Sequence, residues 1–345
     1  MRTRPQRIAL SRIVNTVITK SVSDASPVLS APAYSDAPAS AEEEVNPWAG
    51  KTIRIGFSPF LSHVPITFNL EQTAQENDIP IETTQGSQEE IRQMFFNDEL
   101  DLALVSLTDY FQRPESYISS DVCVCSEGLV RSVLLYGRVQ QPNQIKTIAL
   151  YPVSETFVLM TRILLAERFD VHPDFLFLNK SDKWELTNAD AALLVGERAL
   201  RQPSRGDRFS FVWDMGQRWT QWTGIPFIYY FWLAKDKALG RFIAPTLSQT
   251  RDKGVEMLPS LALQEARRLK IDPEYCHDYL SSKLSFRLGG RQRKGVEIFC
   301  RLAKKHLLID IGAPIPFYNQ YRFRRREQEL PTWQDQDRIE QTDAE

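Results

Sequence analysis

Neither sign of charge dominates this chain: 42 lysines and arginines face 44 aspartates and glutamates over 345 residues, a formal balance of −2. Without a domain-wide basic field, general nucleic-acid binding loses its simplest electrostatic signature. No apolar run reaches the roughly 18 residues a membrane-spanning helix requires. Cysteine is scarce. Cys123, Cys125, Cys276 and Cys300 are too few for a disulfide scaffold at this size, so a reducing, cytoplasmic setting is expected. Cys123 and Cys125 share one strand face but have no second ligand pair at a usual spacing, and His277 beside Cys276 does not supply one. Buried structural thiols are expected there instead of zinc. The G-x-G-x-x-G, G-x-x-x-x-G-K-[ST] and G-x-S-x-G patterns are missing, leaving nucleotide-binding and serine-hydrolase readings without support.

The two ends differ from the middle. Residues 1–23 carry Arg2, Arg4, Arg7, Arg12 and Lys20 with no acid, a composition with a transit-peptide flavour, although Arg12 and Asn15 interrupt any secretory apolar core. Residues 21–41 are rich in Ser, Ala and Pro, which cannot bury enough surface to offset ordering entropy. Residues 1–50 are therefore expected to form a disordered extension. Residues 323–345, with Arg324–Arg326 followed by Gln, Asp and Glu, read as a polar tail. The working protein is expected at 51–322.

Within that span, four short apolar runs each finish in Ser, Thr or Gly before a helix or turn. Residues 52–57 lead to Ser58–Pro65; 100–105 to Ser106-Leu107-Thr108; 147–151 through Pro152 to Ser154 and Thr156; and 191–195 to Gly196-Glu197. Ser87 and Glu90 make a capping box for a helix. Continuous apolar strands separated by helices indicate an α/β fold with sheets covered on both faces, in which ligands bind beyond the carboxyl ends of the strands. Hydroxyls and free N–H groups at helix starts suit carboxylates or phosphates. Ser62, Ser106, Ser154 and Thr156 are thus candidates to converge on an anionic small molecule, against the plainer reading of Ser106 and Ser154 as helix caps.

Two longer runs, Val130–Tyr136 and Pro226–Ala234, flank the intervening segment. Strands in those places suit two lobes joined by two crossovers, with lobe one at 51–135 plus 227–322 and lobe two at 136–226. The cleft between them would close by hinge motion. Arg131 sits inside the first run, where it suits either a carboxylate or an interlobe ion pair. Trp219 and Trp222, three apart on a helix that begins at Asp214 and ends at Gly224, are expected to pack inward.

An ordered series of segments resembles the menaquinone biosynthetic chorismate dehydratases of the futalosine pathway. It comprises Leu100–Tyr110, Cys125–Leu135, Ser154–Thr156 with Arg162–Glu167, Ala189–Leu200, Asp214–Trp219, Trp222–Phe227, and Tyr279 with Phe286–Gly289. The resemblance covers about residues 52–310, and the series is more specific than any one motif. It implies a periplasmic-binding-protein-like type II fold of two lobes joined by two crossover strands. It also implies a lyase that dehydrates chorismate to 3-[(1-carboxyvinyl)oxy]benzoate, with no cofactor or metal. In that frame Ser106 orients the ring, Ser154 and Thr156 hold a carboxylate, Ser62 bonds the leaving or enolpyruvyl group, and Arg131 and Gly196 complete the substrate-binding set. Chorismate is the expected partner, with neither nucleic acid nor membrane involved.

The chain departs from the family at Phe60-Leu61-Ser62, where a Tyr-Leu-Asn-like motif is typical, and at Glu197, where Asp is preferred. Ser62 can still donate a hydrogen bond, but it is shorter than Asn. His63 next to it reads as a non-catalytic neighbour, with general base as the alternative. Two other functions fit the same fold: a non-catalytic small-carboxylate binding protein and the sister dihydroxynaphthoate synthase. Glu127–Ser132 fits the dehydratase better than the synthase.

Overall fold

The first strand β1 (Ile53–Phe57) lies parallel to both β2 (Ile81–Gln85) and β3 (Leu102–Ser106). The computed structural model describes residues 47–113, 115–179, 181–201 and 209–306, all within one compact unit. The expected tail at 323–345, residues 307–322 of the expected working unit and residues 1–46 of the expected extension at 1–50 lie outside the described residues; Trp48, within that extension, is buried and its Nε1–H donates to Asp236 Oδ2 at 3.3 Å.

Two sheets organise the chain. The first has the order β11-β4-β10-β3-β1-β2, where β4 is Tyr117–Ser126, β10 is Phe227–Ala234 and β11 is Ser285–Arg287. The second has the order β7-β6-β8-β5-β9, with β5 at Val133–Gly137, β6 at Thr147–Leu150, β7 at Asp174–Phe177, β8 at Ala191–Val195 and β9 at Phe211–Asp214. Each sheet contains a parallel trio (β2-β1-β3 and β7-β6-β8) flanked by an antiparallel strand, β10 in the first and β5 in the second. All four runs that the sequence marks as strands ending in small polar residues are strands here. The burial pattern explains their composition: every residue of β3 and of β10 is buried, so neither face tolerates the alternating polar positions of a half-exposed strand.

The chain passes between the sheets twice, through 127–132 and through 224–226. Among the described residues β5 pairs with β8 and β9, and the sequence-based division after residue 135 lies within this strand of the second sheet. Arg131 also differs from expectation. It precedes β5 and adopts φ +61°, a left-handed turn that interrupts the apolar run.

Local signals stop and start the helices as the residues indicate. Ser87 Oγ accepts from Glu90 N–H at 3.3 Å while Glu90 Oε2 accepts from Ser87 N–H at 2.7 Å, closing the capping box of helix Gln88–Phe96. Asp214 caps helix Met215–Thr223 by accepting from Gln217 N–H at 3.0 Å, and Gly224 ends it at φ +66°. Trp219 and Trp222 are buried on that helix. Gly216 brings its first turn against β4 and β10: a Cβ there would lie 2.8 Å from Tyr229 Oη and 2.9 Å from Ser126 Oγ.

Candidate functional site

The end of β3 supplies a compact polar turn. Ser106 donates twice to Asp109 Oδ2, from its N–H at 2.8 Å and from its Oγ at 2.6 Å. Thr108 Oγ1 lies 3.4 Å from Ser106 Oγ. All three residues are buried. Burial pushes the Asp109 carboxyl up to about 6; the Ser106 bonds oppose this, with smaller contributions from Arg92, which lowers it, and Glu155, which raises it.

From the second sheet's side, helix Glu155–Phe169 presents its first turn to the same place. Thr156 Oγ1 accepts from Thr108 N–H at 3.0 Å and lies 2.9 Å from Thr108 Oγ1. The result is a line of hydroxyls, Thr156–Thr108–Ser106, ending on the Asp109 carboxyl and joining the second lobe to the first. Ser154 serves that helix as its N-cap, accepting from Thr156 N–H at 3.2 Å. Phe157 stacks on Tyr229 (5.9 Å, 19°) and tilts against Tyr230 (6.2 Å, 60°), walling the hydroxyl line with aromatic rings. Tyr230 stands in register with Ser106 across the sheet.

At the end of β1, His63 Nδ1 lies 2.9 Å from the Ser58 carbonyl. A carbonyl only accepts, so Nδ1 carries the hydrogen and Nε2 presents a lone pair. Among the described residues, Nε2 is buried without a partner, as is Gln88 Nε2, whose own Oε1 accepts from Ser58 Oγ at 3.4 Å. Burial pulls the His63 imidazole down to about 3, keeping it neutral. Its ring stands edge-on to Tyr230 at 4.5 Å.

A second cluster gathers at the crossings. The Tyr279 hydroxyl lies near Ser132 and Ser62, whose influence opposes the rise that burial gives its pKa, and the Ser132 carbonyl accepts from Gly196 N–H at 2.7 Å. Asp214 accepts from Val130 N–H (3.0 and 3.1 Å) and from Arg131 N–H (2.6 Å), so one carboxylate holds both the first crossing and the start of the next helix. Arg131 points its guanidinium at Asp278, 2.7 Å away, and over the Tyr275 ring. Beyond Gly196, Arg198 lies over the Tyr151 ring at the edge of a cavity of about 450 Å³ also lined by Asp182, Lys183 and Trp184.

Of the sequence candidates, Ser106, Ser154 and Thr156 meet at one point. Ser62 and Gly196 belong to the Tyr279 cluster, and Arg131 is engaged by Asp278. Sequence reasoning missed Asp109, Thr108 and Tyr230 as members of the site. The Ser106-x-x-Asp109 spacing, a capping pattern, was the one available signal for Asp109. Among the described residues, no group of histidine, cysteine and carboxylate side chains could hold a metal ion. Cys123, Cys125 and Cys276 are buried.

Comparison with known proteins bears on the family and the fold. Residues 53–305 match a protein-family model described as menaquinone biosynthesis. A chorismate dehydratase of Thermus thermophilus is 27% identical over 228 residues, 61% of this chain and 82% of that protein. Among solved structures, protein AF1704 of Archaeoglobus fulgidus superposes with a TM-score of 0.55 at 14% identity, covering 75% of this chain and 98% of that one. The periplasmic aliphatic sulphonate binding protein SsuA of Escherichia coli gives 0.55 at 12% identity, covering 82% and 97%. A Candida albicans protein described as having the generic periplasmic binding protein fold gives 0.51 at 14%, covering 76% and 92%. At such identities these likenesses establish the fold: the periplasmic-binding-protein-like architecture that the family resemblance implied, in agreement with the two lobes expected from the crossover strands.

Proposed function

The chain belongs to the menaquinone biosynthesis family, and on that premise we propose that it dehydrates chorismate to 3-[(1-carboxyvinyl)oxy]benzoate, as a cytoplasmic lyase of the futalosine pathway. The observation that carries this reading is the meeting of Ser106, Thr108 and Thr156 between the two lobes, with hydroxyls in register at the start of a 15-residue helix. A helix start with hydroxyl donors suits a carboxylate, and chorismate has two. Ring aromatisation drives the product side, so the protein's task is to hold the ring, assist departure of hydroxide and keep the enolpyruvyl ether in place. Ser106 orients the reacting ring; Ser154 and Thr156 hold one carboxylate. Ser62, Gly196 and Arg131 face the enolpyruvyl end. Residues 51–322 are the proposed working unit.

The test is incubation of purified protein with chorismate, following aromatic absorbance and the mass of the product. Formation of a benzoate lighter than chorismate by one water is expected. Chorismate binding without turnover would replace the lyase by a carboxylate-binding protein on the same fold.

A further inference from the structure

The outer strand β7 (Asp174–Phe177) exposes more apolar surface than any other sheet edge among the described residues. It pairs with β6 on one side, in an unbroken parallel register. Leu176 is 44% exposed and Phe177 52%, and Leu186, on the loop that follows, is 82% exposed. Inside the strand no lysine, proline or bulge guards the edge. The other outer strands differ: β2 is polar beyond Ile81, β11 ends in Arg287, and β9 has no exposed large apolar side chain.

The backbone narrows what this edge can accept. Asp174 N–H donates to the Lys146 carbonyl and Leu178 N–H to the Leu150 carbonyl, both at 2.9 Å. With a period of two, residues 174, 176 and 178 turn their backbone groups to β6, and Phe175 and Phe177 turn theirs outward. Both sides of that outward pair are closed. Pro173 has no N–H, and the Asn179 N–H already donates to Asp182 Oδ2 at 2.7 Å.

We propose that β7 is a self-association edge, at which two copies of this chain pair antiparallel about a twofold axis at Leu176. In that register Phe175 of each copy exchanges both backbone bonds with Phe177 of the other, so every outward N–H and C=O of the strand is satisfied. Centring on Phe175 would set Phe177 against Pro173, and centring on Phe177 would set Phe175 against the occupied Asn179; each leaves backbone groups unpaired. Arg162 lies over the Phe175 ring, so Phe175 and Phe177 share the face toward helix Glu155–Phe169 and cluster there with their counterparts. The two Leu176 side chains meet on the other face. Charge selects the same direction. The approach to β7 carries Asp170 and Asp174, and its exit carries Lys183, which has no ion-pair partner among the described residues. Asp182 turns its carboxylate to Asn179, and Glu185 lies beyond the buried Trp184. Antiparallel pairing sets each acidic approach beside the other copy's exit, whereas parallel pairing would set acid against acid. The two five-stranded sheets become one of ten, and two strands still separate the contact from β5 and the first crossing.

The test is the mass of the full-length protein in solution, by sedimentation or light scattering across a range of concentrations. A concentration-dependent dimer is expected. Leu176→Lys should be monomeric over the same range with unchanged circular dichroism. Leu176→Cys gives an independent reading. Facing residues of a non-hydrogen-bonded antiparallel pair have Cα atoms about 4.5 Å apart, within disulfide reach. Mild oxidation should therefore link this variant into dimers and leave the wild type, whose Cys123, Cys125 and Cys276 are buried, unlinked. A wild type that is monomeric at every concentration would overturn the proposal. So would a dimer that survives Leu176→Lys or fails to cross-link through Leu176→Cys, or a monomer whose β7 edge takes up an extended peptide instead. If Leu176→Lys does not fold, the cross-link decides.

Discussion

Thr108 of the first lobe and Thr156 of the second meet hydroxyl to hydroxyl at 2.9 Å, and the Thr108 N–H donates to the same Thr156 oxygen at 3.0 Å. Both are buried, so the contact is a specific lock between lobes in which neither residue can be replaced without leaving a polar group unsatisfied.

Thr156→Val retains the shape and removes the acceptor. The stranded Thr108 N–H should cost about 1–3 kcal/mol, measured as a lower urea midpoint. Activity should fall as well, because the hydroxyl line loses its anchor in the second lobe. A variant with unchanged midpoint and unchanged kcat/KM would contradict the lock.

Ser106→Ala separates chemistry from folding. Asp109 keeps the Ser106 backbone N–H, so stability should drop by only about 1 kcal/mol. Turnover of chorismate should fall about 100-fold. An unfolded Ser106→Ala protein would show that the hydroxyl is structural instead.

Asp109 and His63 should impose opposite pH dependences on stability. Burial raises the Asp109 carboxyl to about 6 from its ordinary 3.8, so the folded state holds that proton more tightly. Its contribution is full below about pH 4 and is lost as pH rises through 6, a difference of about 3 kcal/mol. Unfolding free energies of Asp109→Asn relative to wild type should therefore improve from pH 4 to pH 8. No such trend would place the carboxyl in a more solvated setting.

Burial lowers His63 to about 3 from 6.5, the reverse case. Its contribution is full above about pH 6.5 and is lost as pH falls toward 3, because the unfolded chain takes up the proton first. His63→Gln should lose less stability than wild type between pH 6.5 and pH 4 in urea titrations. Parallel titrations of the two proteins would refute this.

Arg131 distinguishes ligand binding from lobe pairing. Its bond to Asp278 is partly exposed on both sides, so stability should change little on breaking it. Arg131→Gln should raise KM for chorismate about tenfold or more if the guanidinium meets a carboxylate, and Asp278→Asn should leave KM unchanged. Equal effects from both substitutions would make the pair a structural link alone.

Much of the architecture was legible along the chain. The four apolar strands, the Ser87–Glu90 box and the helix bounded by Asp214 and Gly224 all depend on residues within a few positions of one another. Local steric and hydrogen-bonding preferences decide such features. Arg131 was misplaced because periodicity cannot register a single left-handed residue that ends an otherwise apolar run. Ser62 carried no sign of its partner either, since Tyr279 lies more than two hundred residues away.

The sequence by itself determined that this is an α/β chain whose strands end in hydroxyls and helix starts, and its ordered motifs pointed to a family. Those properties follow from side-chain chemistry and short-range geometry. Only the tertiary structure decided which hydroxyls meet. Thr108 and Thr156 are joined because the fold brings the turn after β3 against the start of helix Glu155–Phe169. Asp109 holds its proton unusually tightly because the packed lobes exclude water from a carboxyl that, in an exposed turn, would be an ordinary cap. Burial is a property of the whole fold, and here it separates an ordinary acidic cap from a carboxyl whose pKa is raised to about 6.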